Sequence, residues 1–316
     1  MMVRSARANR PPTRMALVAA TALLAVATTH CGIPRREGWE LAPLPGGRAE
    51  VVRLTSGPTL EVERVRFFSN ELGEPRFFLA IVPAGRQGIS DVFILNHGWT
   101  DRPEEMLRAL KVDRVYGELL AAGEVKPAVV VLPDIRSTNY HRRNSEKFPF
   151  PSGLVLVAQE VAQLVAQRFG VPPDRTRWGI GGFSFGGYTA LDVVRRYSGR
   201  FGSASVISAF ADEAWTFWPS REPPPGRLDS RGRGKQTVVV PGPVPRLLLA
   251  CGTGDRLFPA MRSLHERLSA EGITHQWMTA PGGHTWKYWA SVLRPMLRFH
   301  LAPDQASTRR GPAPPE

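Results

Sequence analysis

Residues 182–187 read GFSFGG and contain the pattern G-x-S-x-G, with Ser184 between two glycines. An apolar run precedes this pattern and a helical pattern follows it, so we expect a sharp turn from a strand into a helix. Such a turn raises the serine hydroxyl above the sheet at a helix N-terminus, where developing negative charge is stabilised. Ser184 is therefore the candidate nucleophile, and an ordinary Gly-rich turn is the alternative.

A serine hydroxyl reacts at neutral pH only when a base, oriented by an acid, removes its proton. In chains with this turn the order is serine, acid, histidine. Asp255 follows the apolar run 247–251 in a Gly-rich turn, and His284 lies in the Gly-rich loop 281–286. Both come after predicted strands, at the sheet edge that carries Ser184. Asp255 and His284 are therefore the candidate acid and base.

Other acids and histidines compete for these roles. Asp212 follows a strand end and is the alternative acid, with Glu213 and Glu222 as more distant ones. His300 closes the last predicted helix and is interpreted as a charge complement to its C-terminal end. The remaining histidines are interpreted as structural, as solvated or as too early in the chain to be the base: His97, His265, His275 and His141.

An acyl-transfer intermediate also needs two N–H donors for its oxyanion. The first is expected to be the backbone N–H of Phe185, directly after the nucleophile. The second is expected from a loop near the N-terminal strands, where His97-Gly98-Trp99 follows an apolar run. We assign the Trp99 N–H to this role.

Strand-like and helix-like segments alternate along most of the chain. Residues 61–68 and 77–82 are predicted to form a hairpin around 70–73. The other predicted strands cover residues 92–95, 129–132, 178–182, 206–208, 247–251 and 274–278, and the predicted helices cover 154–168, 186–197, 259–270 and 286–300. Because the middle strands are apolar throughout, we expect an α/β fold with a mainly parallel central sheet and helices on both faces.

The first residues have the features of an export signal. Residues 1–27 join a region with four arginines to an apolar run that is shorter than the about 20 residues of a membrane span, so we predict a cleaved signal peptide and an exported protein. A retained anchor, or a lipoprotein through Cys31, is the alternative. Beyond it we predict a flexible lead-in at 28–49, a catalytic domain at 50–301 with a surface insertion at about 219–240, and a disordered tail at 302–316.

The composition and charge of the chain indicate which kinds of binding partner to expect. The formal net charge of +13 would favour anionic partners or peripheral contact with anionic membranes, but we prefer the interpretation of an arginine-rich composition that keeps the protein soluble. No basic stripe is interleaved with aromatic residues, so we expect no nucleic-acid partner. No residues stand at metal-ligand spacing, so we expect neither metal nor cofactor. Cys251 lies in the apolar run 247–251 and is predicted to be a core residue. The oligomeric state stays open.

Five segments together resemble the putative-esterase family of α/β-hydrolases, which includes esterase D, tributyrin esterase, enterochelin esterase and the mycolyltransferases. They are HGW (97–99), VVVLPD (129–134), GFSFGGYTAL (182–191), CGTGDRLF (251–258) and PGGHTWKYW (281–289). The resemblance implies an α/β-hydrolase fold, Ser184, Asp255 and His284 as a triad, and backbone donors near Trp99 and Phe185. Phe185 replaces a methionine that is common in the family, which implies a differently shaped acyl pocket.

These features predict a serine esterase that cleaves a small-molecule carboxylic ester through an acyl-enzyme on Ser184. An acyltransferase of mycolyltransferase type and a non-catalytic binding protein on a hydrolase scaffold are the alternatives. Aromatic residues that could line the substrate pocket, or could equally be core or surface residues, are Phe148, Phe150, Trp215, Trp218 and Trp286. Arginines that could meet an anionic or polar ester are Arg136, Arg142 and Arg143.

Overall fold

The computed structural model describes residues 49–136, 156–197, 199–210 and 243–303. Their centre is one nine-stranded sheet with the strand order β1-β2-β3-β5-β4-β6-β7-β8-β9. The strands are β1 (Glu50–Ser56), β2 (Leu60–Ser69), β3 (Glu74–Pro83), β4 (Asp91–Asn96), β5 (Ala128–Pro133), β6 (Trp178–Phe183), β7 (Ser203–Ile207), β8 (Arg246–Gly252) and β9 (His275–Ala280).

The strands run in two directional patterns. β1, β2 and β3 form an antiparallel meander, and β3 also pairs antiparallel with β5. From β5 through β4, β6, β7 and β8 to β9, every neighbouring pair is parallel. The carboxyl ends of these parallel strands meet at one edge, where an open α/β sheet binds its ligands.

Helices cover both faces of the sheet. They are α1 (Pro103–Leu110), α2 (Val112–Ala121), α3 (Ala162–Phe169, preceded by a π-helical turn at Leu156–Val161), α4 (Phe185–Arg196), α5 (Phe258–Ala270) and α6 (Trp286–Leu301). Helices α3, α4 and α5 contribute to one buried apolar cluster, and α1, α2 and α6 contribute to the other.

Strand β4 shows how the sheet separates these clusters. Val92 and Ile94 belong to the cluster under α3, α4 and α5, whereas Phe93 and Leu95 belong to the opposite one. Successive strand side chains point to opposite faces, so a strand covered on both sides must be apolar at every position. Each such buried side chain contributes about 1.5–3 kcal/mol relative to an exposed one.

The fold class predicted from the sequence is confirmed, and most elements lie where they are expected. Strand β1 and helices α1 and α2 have no counterpart among the predicted elements. Strand β7 begins at Ser203 rather than at 206, because Ser203 and Ser205 are buried strand residues whose hydroxyls contact His300. No helix in the described part of the chain is long and apolar enough to cross a bilayer.

Several predicted segments lie outside the described residues. They are the signal peptide at 1–27, nearly all of the lead-in at 28–49, the insertion at about 219–240, and most of the tail at 302–316. The domain boundaries at these places therefore stay predictions.

Candidate active site

Ser184 occupies a strained turn between β6 and α4. Its backbone has φ 54° and ψ −118°, a left-handed region that residues other than glycine rarely adopt. The Ser184 N–H donates to the carbonyl of Ile207 at 2.8 Å, which ties the turn to β7. A Cβ on Gly182 would overlap the backbone of Gly186, and a Cβ on Gly186 would overlap that of Asn96. Both glycines are therefore required for the turn to pass this close to its neighbours.

His284 links Ser184 to a buried acid. Its Nε2 lies 2.9 Å from the Oγ of Ser184. Its Nδ1 lies 2.9 Å from Oδ2 and 3.1 Å from Oδ1 of Asp255. Oδ1 also accepts the N–H of Leu257 at 2.9 Å, which fixes the carboxylate from its other side. Because Asp255 accepts the Nδ1 proton, Nε2 is left as the acceptor that faces the serine hydroxyl.

The loops that carry the acid and the histidine are joined by backbone bonds. The Gly254 N–H donates to the carbonyl of Gly282 at 2.9 Å, and the Thr253 N–H donates to that of Ala280 at 3.0 Å. Thr285, directly after His284, caps helix α6 with its side chain. The spacing between Asp255 and His284 is therefore set by the pairing of β8 with β9.

The predicted second oxyanion donor lies in a loop held by His97. This histidine is fully buried; its Nε2 accepts the N–H of Ile135 at 3.2 Å, and its Nδ1 donates to the carbonyl of Gly98 at 2.6 Å. The N–H of Asp101 also donates to this carbonyl, at 3.3 Å. In a trans peptide the C=O and the next N–H point in opposite directions. The Trp99 N–H therefore points away from His97, and these bonds fit the structural interpretation of His97.

Asp101 is a half-buried carboxyl beside the same loop. Burial raises its pKa, whereas the nearby His97, the Gly98 backbone and His284 each lower it. A Cβ on Gly98 would overlap the Asp101 carboxylate and lie 3.9 Å from the Cβ of Ser184. Asp101 therefore lies within a few ångströms of the nucleophile.

Ser184 and His284 open into a cavity of about 490 Å³. Five aromatic side chains line it: Trp99, Phe185, Phe210, Trp286 and Trp289. Trp99 meets Phe185 edge to face at 5.0 Å between ring centroids, and Trp286 meets Trp289 in the same manner at 5.0 Å. The other lining residues besides Ser184 and His284 are Gly98, Thr100, Asp101, Arg256 and Thr285. The cavity is thus largely aromatic with a few polar groups, which is typical of a small-molecule site.

The structure brings six of the sequence-predicted site residues together around this cavity: Ser184, Asp255, His284, Trp99, Phe185 and Trp286. All the others except Arg136 lie outside the described residues, namely Phe148, Phe150, Trp215, Trp218, the alternative acids Asp212, Glu213 and Glu222, and His141, Arg142 and Arg143. In the described ranges no three His, Cys, Asp or Glu side chains gather where they could hold a metal ion.

One sequence interpretation is wrong. His300 is not a charge complement to a helix end: it is buried, its pKa is held well below the ordinary value by burial, and its nitrogens contact the hydroxyls of Ser203 at 2.7 Å and Ser205 at 2.9 Å. His265 and His275 are both partly exposed, and their ring nitrogens lie 2.7 Å apart.

Arg136 was a candidate for contact with an anionic or polar ester, but its guanidinium is held by a carboxylate of its own chain. Its Nε donates to Oδ1 of Asp134 at 3.0 Å, and its Nη2 donates to Oδ2 of the same carboxylate at 3.0 Å.

Sequence reasoning missed Asp101, Phe210, Arg256 and Trp289 as cavity residues. For Trp289 a signal existed, since it follows Trp286 by three positions and so shares its helix face. Arg256 and Asp101 are single charged residues in loops, where no periodicity indicates which way a side chain points.

The sheet order and the helices on both faces define the protein as an α/β-hydrolase. A ferulic acid esterase from Anaeromyces mucronatus, in complex with ferulic acid, has the same fold, with a TM-score of 0.61 and 18% identity over 77% of this chain and 93% of its own. An S-formylglutathione hydrolase from Staphylococcus aureus gives a TM-score of 0.58 and 17% identity over 79% of this chain and 99% of its own.

Sequence comparison leads to the same class. Residues 69–300 match the family model described as "Putative esterase". An acetyl esterase from Caldicellulosiruptor saccharolyticus is 23% identical over 261 residues, which cover 73% of this chain and 94% of that protein. The chain belongs to the Putative esterase family, and the protein is a carboxylic ester hydrolase. The family and the ester hydrolysis that the sequence motifs predict are thereby confirmed.

Proposed function

We propose that the protein cleaves carboxylic esters through an acyl-enzyme on Ser184. The observation that carries this proposal is the chain of contacts from Ser184 through His284 to Asp255 at the wall of the cavity. In this mechanism Nε2 of His284 takes the hydroxyl proton while Oγ of Ser184 attacks the ester carbonyl. The same proton then goes to the leaving alcohol oxygen as the C–O bond breaks, which leaves the acyl group on Ser184.

Hydrolysis of the acyl-enzyme repeats these steps with water. His284 takes a proton from the attacking water, and returns it to Oγ of Ser184 as the carboxylic acid leaves. Throughout, Asp255 keeps the imidazole in the tautomer with its proton on Nδ1 and stabilises the imidazolium that forms. Its buried position and its second hydrogen bond, from Leu257, support this orienting role.

The tetrahedral intermediate of each half-reaction carries a negative oxygen. We assign the Phe185 N–H, in the first turn of α4, and the Trp99 N–H as its donors. The carbonyl on the other side of the Gly98–Trp99 peptide is held by His97 and Asp101, so this donor is pre-oriented before substrate binds. Removal of one such donor typically lowers kcat by about 10²–10³-fold.

A fluorophosphonate probe tests the nucleophile directly, because it reacts only with an activated serine. The wild-type protein should be labelled on the peptide that contains Ser184, and Ser184→Ala should not be labelled. Ser203→Ala is a matched control, since Ser203 also contacts a histidine but lies buried in β7. Equal labelling of the wild type and of Ser184→Ala would refute the assignment.

The acyl group is proposed to be small or aromatic. The five aromatic residues of the cavity support this, and the related proteins are named as an acetyl esterase and a ferulic acid esterase. An activity screen of 4-nitrophenyl esters from acetyl to dodecanoyl, together with methyl ferulate, tests it. Highest kcat/KM for the longest acyl chains would contradict this expectation.

The protein is also proposed to be exported, on the strength of the basic region and apolar run in residues 1–27. Expression of the full chain in a bacterial host and mass analysis of the mature product would locate the cleavage site. A mass increase that disappears in Cys31→Ala would indicate lipidation instead of simple cleavage, and an intact N-terminus in the cytoplasm would refute export.

A further inference from the structure

The cavity over Ser184 is lined by three ionisable side chains, Asp101, Arg256 and His284. His284 contacts Ser184 and Asp255. The Asp101 carboxylate packs against Gly98, and its backbone N–H donates to the Gly98 carbonyl. Arg256 carries the only permanent positive charge among these lining residues.

Arg256 is exposed and forms no hydrogen bond or ion pair among the described residues. Its position is nevertheless fixed by its neighbours in the chain. The Asp255 N–H donates to the carbonyl of Gly252 at 3.0 Å, and the Leu257 N–H donates to the Asp255 carboxylate at 2.9 Å. Because consecutive Cα atoms are about 3.8 Å apart, the base of the Arg256 side chain is held beside the acid of the triad.

This arrangement contrasts with that of Arg136. The guanidinium of Arg136 donates hydrogen bonds to both oxygens of Asp134, so two of its N–H donors are already used. The Arg256 guanidinium keeps its donors for a ligand, and planar guanidinium groups bind carboxylates and phosphates through two parallel hydrogen bonds. The aromatic walls of the cavity exclude part of the water, which strengthens such a charge pair. The net charge of +13 also favours the approach of anions.

We infer that Arg256 selects ester substrates that carry an anionic group, which it binds while the ester carbonyl lies at Ser184. The inference rests on the proposed function of Ser184 and goes beyond it by naming the charge of the substrate. The anionic group can belong to the acyl part or to the alcohol part of the ester, and the two require different probes.

Two pairs of probes separate these cases. For the acyl part, 4-nitrophenyl hydrogen adipate is compared with its methyl ester, which has the same leaving group without the charge. For the alcohol part, 4-acetoxybenzoate is compared with methyl 4-acetoxybenzoate. For each pair the measured quantity is the ratio of kcat/KM for the anionic probe to kcat/KM for the neutral one. This ratio cancels any general loss of activity in a variant.

The wild-type ratio should exceed one for at least one pair and should fall as salt is added, because ions screen the attraction. Arg256→Gln should lower that ratio by about tenfold, as expected for loss of one charge pair in a partly solvated cavity. Arg256→Glu should lower it further, and Arg256→Lys should keep most of it. Arg108→Gln is the matched control, because Arg108 is exposed on α1 and does not line the cavity; its ratio should equal that of the wild type.

The outcomes also distinguish the two proposals. If no probe is hydrolysed by the wild type, the proposed function fails. If the probes are hydrolysed but Arg256→Gln and Arg256→Glu leave both ratios unchanged, the role of Arg256 is refuted while the triad stands. A change in the adipate pair alone would place the anion in the acyl part, and a change in the acetoxybenzoate pair alone would place it in the alcohol part.

Discussion

A carboxylate oxygen of Asp101 fills the space that a Cβ on Gly98 would need. The two residues are also bonded through their backbones, since the Asp101 N–H donates to the Gly98 carbonyl. A side chain at position 98 would therefore have to displace the Asp101 carboxylate, beside the loop that carries the proposed Trp99 donor. We therefore expect the geometry of the proposed oxyanion site to be sensitive to one added methyl group at this position.

Gly98→Ala should lower kcat for 4-nitrophenyl acetate by about 10²-fold, in the range of losing one oxyanion donor, with a smaller change in KM. The added methyl group displaces either the Asp101 carboxylate or the peptide that carries the Trp99 N–H. Steady-state kinetics of the wild type and of Gly98→Ala measure the change in kcat and KM. Gly199→Ala is the control, because a Cβ at Gly199 meets nothing within 4 Å, and it should retain wild-type kcat.

A second substitution tests whether the overlap with the Asp101 carboxylate causes the loss of activity in Gly98→Ala. In an Asp101→Ala background, Gly98→Ala should cost less activity than it does in the wild type, because the overlapping oxygen is gone. Equal costs in the two backgrounds would show that the overlap is not responsible.

Asp255→Asn should lower kcat by about 10³–10⁴-fold while the fold stays intact. The amide keeps the shape of the carboxylate but neither holds the Nδ1 proton nor stabilises the imidazolium. Steady-state kinetics together with near-ultraviolet circular dichroism separate the chemical effect from unfolding. Asp174→Asn removes an exposed carboxylate from a short turn and serves as the control. Activity of Asp255→Asn within tenfold of the wild type would point to a different acid.

His300 should make the protein lose stability in mild acid. Burial, together with the charge of Arg246, lowers the pKa of His300 well below 6.5, so the ring is neutral in the folded state. The unfolded chain takes up this proton once the pH falls below about 6.5, whereas the folded chain does not, so stability is present above that pH and declines below it. The slope for one such group approaches about 1.4 kcal/mol per pH unit.

Urea unfolding at pH 7.5, 6.0 and 5.0 measures this decline. His300→Gln removes the titrating group but keeps polar atoms near Ser203 and Ser205. The variant should be less stable at pH 7.5 and should lose less of its remaining stability between pH 7.5 and 5.0. Parallel pH profiles for the wild type and the variant would contradict this account.

Cys251 should resist thiol reagents while the protein is folded. It is fully buried in β8, and burial, followed by the charge of Asp255, raises the pKa of its thiol to about 12. At pH 8 only about one thiol in 10⁴ would be ionised, and the thiolate is the reactive form. Iodoacetamide followed by peptide mapping should therefore modify Cys251 only after unfolding in urea. Rapid modification of the native protein would show that β8 opens readily.

The sheet and the three residues of the proposed triad were predictable because they depend on local patterns. G-x-S-x-G between a strand and a helix indicates where the nucleophile lies, and the Gly-rich turns after two later strands indicate the positions of Asp255 and His284. Parallel strands bring those turns to the same edge of the sheet. The order of serine, acid and histidine along the chain then indicates which residue is the nucleophile, which the acid and which the base.

Features that depend on long-range packing were not predictable. Ser203 and Ser205 are polar residues, so the sequence did not mark them as part of a buried strand. Their hydroxyls are hydrogen-bonded by His300, which lies about 95 residues later in the chain. The same contact makes His300 a buried neutral residue instead of a helix-end cation. Strand β1 lies at the edge of the sheet, where Val52 and Leu54 are exposed and Val51 packs on the core, so its apolar residues do not mark one buried face.

The backbone bond between Gly254 and Gly282 ties together only the two loops that follow β8 and β9. The walls of the cavity come in part from other places, including the loop after β4 and Phe210 beyond β7. Insertions or deletions between β7 and β8 can therefore reshape what the protein recognises without disturbing how its acid meets its imidazole. Recognition can therefore be varied most freely on the Phe210 side of the cavity, because Trp99, Phe185 and Arg256 lie within or beside the catalytic machinery.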